Sequence, residues 1–262
     1  MERTETNTIR KAVQTQYSTA DRLDRRISLH EKYSTNPQGF GSWIASHYRF
    51  NSGAKVLELG CGTGNMWLGR DELIERCKPL VLSDLSEGML AAARKTLQGY
   101  RTILYRRIDI QDIPYPEAAF DAVIANMMLY HVPNLDRGLS EVHRVLKPGR
   151  RFYCATYGEN GILPYLCGLF DLPLADSGLN HAFTLQNGEQ ILHRHFERVE
   201  RYDYLDSLAI TDVEDLVDYI CSLTGVTSLR VLPRGRLRAV LQSHMVDGVL
   251  TVPKDYGMFI AR

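Results

Sequence analysis

Glu58, Gly60, Gly62, Gly64 and Asp84 are the residues whose types and spacing point most directly to chemistry. The apolar run Val56-Leu57-Glu58-Leu59 reads as a buried strand that empties into Gly60-Cys61-Gly62-Thr63-Gly64. Glycines at every second position let the backbone pass close to a ligand, because a Cβ would stand in the way. Asp84 closes the next apolar run, and an ionised carboxylate there suits the two hydroxyls of a ribose. The combination describes an adenosine-binding site.

The spacing narrows the choice of cofactor. A dinucleotide fingerprint is Gly-x-Gly-x-x-Gly, whose wider last gap seats a pyrophosphate at a helix N-terminus. Here the gaps are equal and an acid, Glu58, precedes the first glycine. S-adenosylmethionine has no phosphate. An acid can answer its ammonium, and free amides at a helix start can answer its carboxylate. A nicotinamide dehydrogenase is disfavoured on the same ground.

Further candidates follow the later strands. Asp109-Ile110 places an acid for an adenine amino group beside an apolar cover for the ring; a turn aspartate has the same sequence signature. Asn126-Met127-Met128-Leu129-Tyr130-His131-Val132-Pro133 follows the fourth strand, where reacting groups belong. His131 titrates near neutrality and could take a proton from a hydroxyl or amine nucleophile, or could simply fix the loop. Tyr130 fits either a pocket wall or the core. Asp84 fits a helix N-cap as well as a ribose ligand. His193-x-His195 lacks the carboxylate or cysteine cluster that a metal site needs, so no metal is expected. The basic residues Arg230, Arg234, Arg236 and Arg238 near Asp212, Glu214, Asp215 and Asp218 read as a solvated face.

These residues need a scaffold, and the chain supplies alternating strands and helices. Strands are expected at 56–59, 80–83, 103–107, 120–125 and 151–156, with helices at 65–76, 86–97 and 135–146. Such alternation implies a parallel sheet covered on both faces, with ligands beyond the carboxyl ends of the strands. Residues 20–30 carry a helical period, and a short helix is expected around Trp43 and Ile44. After Tyr157 the pattern loosens into an excursion at 158–185. A helix over 190–196, a strand over 199–205, two helices within 212–247 broken at Pro233-Arg234-Gly235, and a last strand over 256–261 follow.

The totals exclude some classes. The 262 residues, 44% apolar and 24% charged, can bury one large core. Zero formal net charge gives no basic footprint for nucleic acid. No stretch approaches the apolar length of a membrane span. The polar N-terminus has no signal-peptide core, and five scattered cysteines show neither metal spacing nor a disulfide framework, so a cytoplasmic home is expected.

Together the motifs resemble those of the class I S-adenosylmethionine-dependent methyltransferases, in their small-molecule branch. Glu58-Leu59-Gly60-Cys61-Gly62-Thr63-Gly64 is similar to the family's first motif. Asp84-Leu85-Ser86 with Met89-Leu90 is similar to its ribose motif, in which the methionine flanks the adenine. Asp109-Ile110 resembles the adenine-contacting pair, and Leu146-Lys147-Pro148-Gly149-Arg150 the turn before strand five. The resemblance covers residues 53–157. It implies a Rossmann-like, seven-stranded, mostly parallel α/β sheet with an antiparallel last strand over 256–261. It also implies a helical lid from residues 1–50, on a core of 51–262 with insertions at about 158–185 and 206–250. S-adenosylmethionine would be held by Glu58, Gly60, Cys61, Gly62, Gly64, Asp84, Leu85, Met89, Asp109, Ile110 and Asn126. A small-molecule methyl acceptor would be walled by Tyr17, Tyr33, Tyr130 and Tyr157, with Trp43 a further aromatic, and His131 would be the catalytic group. A macromolecular acceptor and a noncatalytic cofactor binder are the alternatives.

Overall fold

The computed structural model describes residues 28–173, 179–223 and 227–262. Seven strands, β1 (Ala54–Leu59), β2 (Cys77–Asp84), β3 (Ile103–Arg107), β4 (Phe120–Ile124), β5 (Leu146–Tyr157), β6 (Val199–Ile210) and β7 (Leu250–Ala261), form one sheet in the order β3-β2-β1-β4-β5-β7-β6. The first five run parallel, and β7 is antiparallel to both β5 and β6. The chain starts at β1, builds outward through β2 and β3, then returns to β4 on the other side. The topological switch point therefore lies between β1 and β4, where a parallel sheet opens a crevice at the strands' carboxyl ends.

Side chains alternate across the sheet, as the two-residue period of a strand requires. Leu57, Val81, Val123, Phe152 and Phe259 join one buried cluster, and Val56, Leu80, Ala122, Tyr153 and Met258 join another. Both faces are thus covered, which is why β1 reads as a continuous apolar run.

The helices are α1 (Phe40–His47), α2 (Asp71–Glu75), α3 (Glu87–Thr96), α4 (Leu135–Val145), α5 (Ile162–Leu169), α6 (Gly188–Leu192), α7 (Val213–Ser222), α8 (Thr227–Arg230) and α9 (Arg234–Ser243). Ser86 caps α3 by accepting from Met89 N at 3.3 Å, and Asn134 caps α4 by accepting from Arg137 N at 3.0 Å. The helix expected over 65–76 is broken: a single 3-10 turn, Asn65–Trp67, precedes α2. Extended Leu68 and Gly69, at φ +71°, interrupt the helical ladder between them.

The larger departure from expectation lies at the far edge. Strand β6 runs five residues beyond Leu205, and β7 begins at Leu250 rather than Tyr256, so their ladder pairs Val199 with Ala261 at one end and Ile210 with Leu250 at the other. Alternation there is weak in the sequence because Asp206, Lys254 and Asp255 fall inside the strands. The overhang carries a third core, in which Leu208, Ile210, Leu250 and Val252 pack with Leu166, Leu216, Ile220, Leu237 and Leu241 of α5, α7 and α9. Leu29 and Tyr33 of the N-terminal segment join it. The arginine and acidic runs pair with each other across α7 and α9: Arg234 reaches Asp218 at 2.7 Å and Glu214 at 3.3 Å, and Arg238 bonds Glu214.

Candidate functional site

A cavity of about 860 Å³ opens at the carboxyl ends of β1, β2 and β4, within the roughly 300–1,000 Å³ typical of small-molecule sites. One end is lined by Gly60, Gly62, Asp84, Leu85, Met89, Asp109, Ile110 and Asn126. Continuous with it, Tyr130 and His131 lead to an outer wall made of His30, Ser34, Phe40, Lys254 and Tyr256.

The glycine turn is shaped by its own backbone. Gly60, Gly62 and Gly64 have φ of +70°, +55° and +78°, a region that costs an L-residue roughly 1–2 kcal/mol. A Cβ on Gly60 would meet Met128 Cγ at 2.8 Å, and one on Gly64 would meet Leu97 Cδ1 at 3.0 Å. Gly62 instead faces open space, and its N–H donates to Asp84 Oδ2 at 3.0 Å. Asp84 Oδ1 accepts from Ser86 N at 2.8 Å. The carboxylate therefore tethers the glycine turn to the start of α3 while lining the cavity. Burial pushes its carboxyl above the usual range, against the backbone donors that favour the ion.

Glu58 sits behind the turn, 2% exposed, and does not itself line the cavity. Trp67 donates its indole N–H to Glu58 Oε2 at 2.5 Å and is fully buried. Burial lifts the Glu58 carboxyl to about 7, with Asp84 adding to the rise and the Trp67 and Asn126 hydrogen bonds opposing it. An incoming cation would restore its charge. Trp67 is a residue the sequence reading passed over; its signal is a tryptophan nine positions after the acid, on the turn that leaves the glycines.

Asn126 lines the cavity at the end of β4, accepting from Ala155 N at 3.2 Å and donating to the Tyr48 hydroxyl at 2.7 Å. The next residue, Met127, is a lining side chain at φ +53°, a conformation that costs a non-glycine residue free energy and clusters at functional sites. Asp109 serves a turn, accepting from Gln111 N at 3.0 Å, and also lines the cavity. His131 ends a 3-10 turn, and burial lowers its imidazole to about 4, leaving it neutral at physiological pH.

Other expected residues fall elsewhere. Cys61 and Gly64 belong to the turn but not to the lining. Tyr33 is buried in the third core and donates its hydroxyl to Asp215 at 2.6 Å. Tyr157 packs on Tyr130, with ring centroids 4.5 Å apart, and donates to Asn180 O at 3.1 Å, behind the lining. Trp43 stacks on Phe40 and supports it from outside the cavity. Tyr17 lies outside the described residues. His193 and His195 face different carboxylates, Glu189 and Asp136. Among the described residues, none of α5, α7, α8 and α9 supplies a lining side chain; these helices stand behind the outer wall. No helix among the described residues is long and apolar enough to cross a membrane.

The glycine cradle, the buried acid behind it and Asp84 at the strand end fit S-adenosylmethionine. Comparison with known proteins agrees. Residues 57–154 match the methyltransferase-domain family. A demethylmenaquinone methyltransferase of Symbiobacterium thermophilum is 33% identical over 123 residues, 44% of this chain and 49% of that protein. The Escherichia coli ubiquinone/menaquinone biosynthesis C-methyltransferase UbiE is 30% identical over 115 residues, 43% of this chain and 46% of that protein. The matched stretch thus spans about half the length of the curated relatives. Among solved structures, the YcgJ protein of Bacillus subtilis superposes with a TM-score of 0.56 at 15% identity, covering 84% of this chain and 95% of that one. The methyltransferase CalH, solved with S-adenosylhomocysteine, gives 0.52 at 19%, covering 84% and 55%. At such identities these likenesses show the fold alone.

Proposed function

Since residues 57–154 match the methyltransferase-domain family, we propose that the chain transfers a methyl group from S-adenosylmethionine to a small-molecule acceptor. The observation that carries this reading is one continuous cavity that joins the glycine turn and Asp84 to His131 and an aromatic outer wall.

When bound, the cofactor supplies a methyl carbon activated by its sulfonium. The protein has to hold that carbon in line with the nucleophile and keep water out. Gly62 and Asp84 would hold the adenosine, with Met89 and Ile110 covering the adenine. Glu58, kept close to neutral titration by burial, would take its charge against the cofactor's ammonium. Tyr130, Phe40 and Tyr256 offer aromatic faces suited to a planar acceptor. His131, neutral at pH 7, would take a proton from a hydroxyl or amine acceptor. The quinone acceptors named for the relatives make an oxygenated ring the first class to try. Residues 30–39, ahead of α1, would form the cover over the acceptor, with the helices of the third core bracing the wall from behind.

The test is a transfer assay with deuterated-methyl S-adenosylmethionine and a metabolite extract, read by mass spectrometry. A labelled small molecule supports the reading and gives the acceptor class. Tight S-adenosylhomocysteine binding with no labelled small molecule would move the assignment to a macromolecular acceptor or a noncatalytic role.

A further inference from the structure

The outer wall contains a charge pair that the cofactor does not need. Lys254 of β7 and Asp206 of β6 face each other with side chains 3% and 0% exposed, and Lys254 Nζ bonds Asp206 Oδ2. Asp206 is richly supplied with donors: Ser34 Oγ bonds Oδ2, and Oδ1 accepts from Asn36 N at 2.9 Å and Ser207 N at 2.8 Å. Burial pushes the Asp206 carboxyl up, but the Lys254 and Ser34 hydrogen bonds outweigh it and hold the group ionised.

An ammonium has three protons to give. Lys254 gives one to Asp206 and one to Ser34 Oγ, at 3.2 Å. Its nitrogen lies 5.4 Å from the Tyr256 ring centroid and 5.6 Å from that of Tyr204, and the side chain lines the cavity. One N–H therefore remains without an oxygen acceptor among these bonds, on a side chain that lines the cavity. Beside it, His30 Nδ1 is closed to solvent and has no hydrogen-bond partner among the described residues, and His30 also lines the cavity. Burial and the Lys254 charge keep this imidazole neutral, so it adds a polar atom without a second positive charge.

A buried ion pair is a poor way to gain stability, because packed apolar residues of the same volume do as well or better. Holding a buried ammonium in a wall that also carries the Phe40 and Tyr256 rings is a good way to recognise one oxygen. Building on the acceptor-site reading of the cavity, we propose that Lys254, braced by Asp206 and Ser34 with His30 beside it, is the specificity-determining cation of the acceptor site. It receives an anionic oxygen, carboxylate or phenolate, carried by a planar and otherwise apolar acceptor.

The test uses the full chain saturated with S-adenosylhomocysteine, titrated by calorimetry with three probes that share one ring system: naphthalene-2-carboxylate, 2-naphthol and the neutral naphthalene-2-carboxamide. The wild type is expected to bind the carboxylate or the naphthol at least tenfold more tightly than the carboxamide; which of the two wins identifies the oxygen. Lys254→Met is expected to erase that preference while S-adenosylhomocysteine affinity stays within about twofold. Because Lys254→Met leaves Asp206 buried and unpaired, the double variant Lys254→Met/Asp206→Asn repeats the measurement with both charges removed and the Ser34 and Asn36 hydrogen bonds kept. A pair that only braces the fold would lower the melting temperature and leave the preference intact, and that result overturns the proposal. Equal binding of all three probes by the wild type also overturns it, while leaving the cofactor reading untouched. Failure to bind S-adenosylhomocysteine sinks both.

Discussion

The cofactor end of the cavity draws its residues from one run of chain between Leu59 and Pro133, whereas the outer wall joins residues 30–42 to Lys254 and Tyr256. Ser34 and Lys254 meet across a sequence separation of 220. The first region is a set of turns at successive strand ends, each closed by its own neighbours: Gly62 on Asp84, Asp84 on Ser86, Asp109 on Gln111. The second exists only because β6 and β7 overhang the sheet and the segment at 34–36 docks along β6, with Thr35 N donating to Ser207 O at 2.9 Å. A cofactor shared by many enzymes can be met by a local motif. An acceptor of the kind proposed would be met by contacts assembled from afar.

Substitutions can separate the two ends. The largest effect belongs where they meet. His131→Ala is expected to lower turnover of a hydroxyl acceptor by ~100-fold or more, as loss of a general base does, and to do much less with a thiol acceptor. Wild-type turnover with every acceptor would remove His131 from the chemistry. Next, Asp84→Ala removes charge-assisted hydrogen bonds worth ~1.5–3 kcal/mol, so S-adenosylhomocysteine affinity should fall about tenfold to a hundredfold. Acceptor probes, measured at saturating cofactor, should bind as before. Unchanged cofactor affinity in calorimetry would break the assignment.

Gly60→Ala should cost ~1–2 kcal/mol of unfolding free energy from its positive φ alone, with a further loss because the new Cβ meets Met128. Urea titration reads this directly, and a neutral result would mean the turn relaxes freely.

The smallest effect is also the one that sets the ends against each other in pH. Glu58 titrates near 7 in the fold because burial favours its neutral form, so its stabilising contribution is complete below about 4.5 and is lost as pH rises through about 7. His30 and His131 are lowered to about 4, so theirs is present above about 6.5 and is lost as pH falls toward 4. In the cofactor-free protein, Glu58→Gln should therefore raise the melting temperature relative to wild type by a few degrees at pH 8 and by much less at pH 5. A difference that does not change with pH would mean Glu58 is ionised throughout.

How legible each part was in the sequence follows from the same division. The parallel sheet and the strand-end acids could be read because buried strands, glycine turns and helix caps are local signals of fixed spacing. The break after Trp67 could not, since a glycine inside a helical period is often tolerated and only the chain's path shows that Gly69 takes a positive φ. Tyr33 and Tyr157 were plausible wall residues by type, but their hydroxyls are spent on Asp215 and Asn180 behind the lining. Lys254 and Asp206 carried no signal, because a charge inside an apparent strand reads as an interruption until its partner is seen opposite.

What the sequence determined by itself was the position of the strand-end turns: Glu58 to Gly64, Asp84 and Asp109 sit at fixed distances along the chain from the strands that present them, so periodicity and turn chemistry locate them. What only the tertiary structure decided was the outer wall. There Ser34, Asp206 and Lys254 come together through a strand register and a docked segment, and which residues meet across a register depends on the whole sheet's packing rather than on any spacing along the chain.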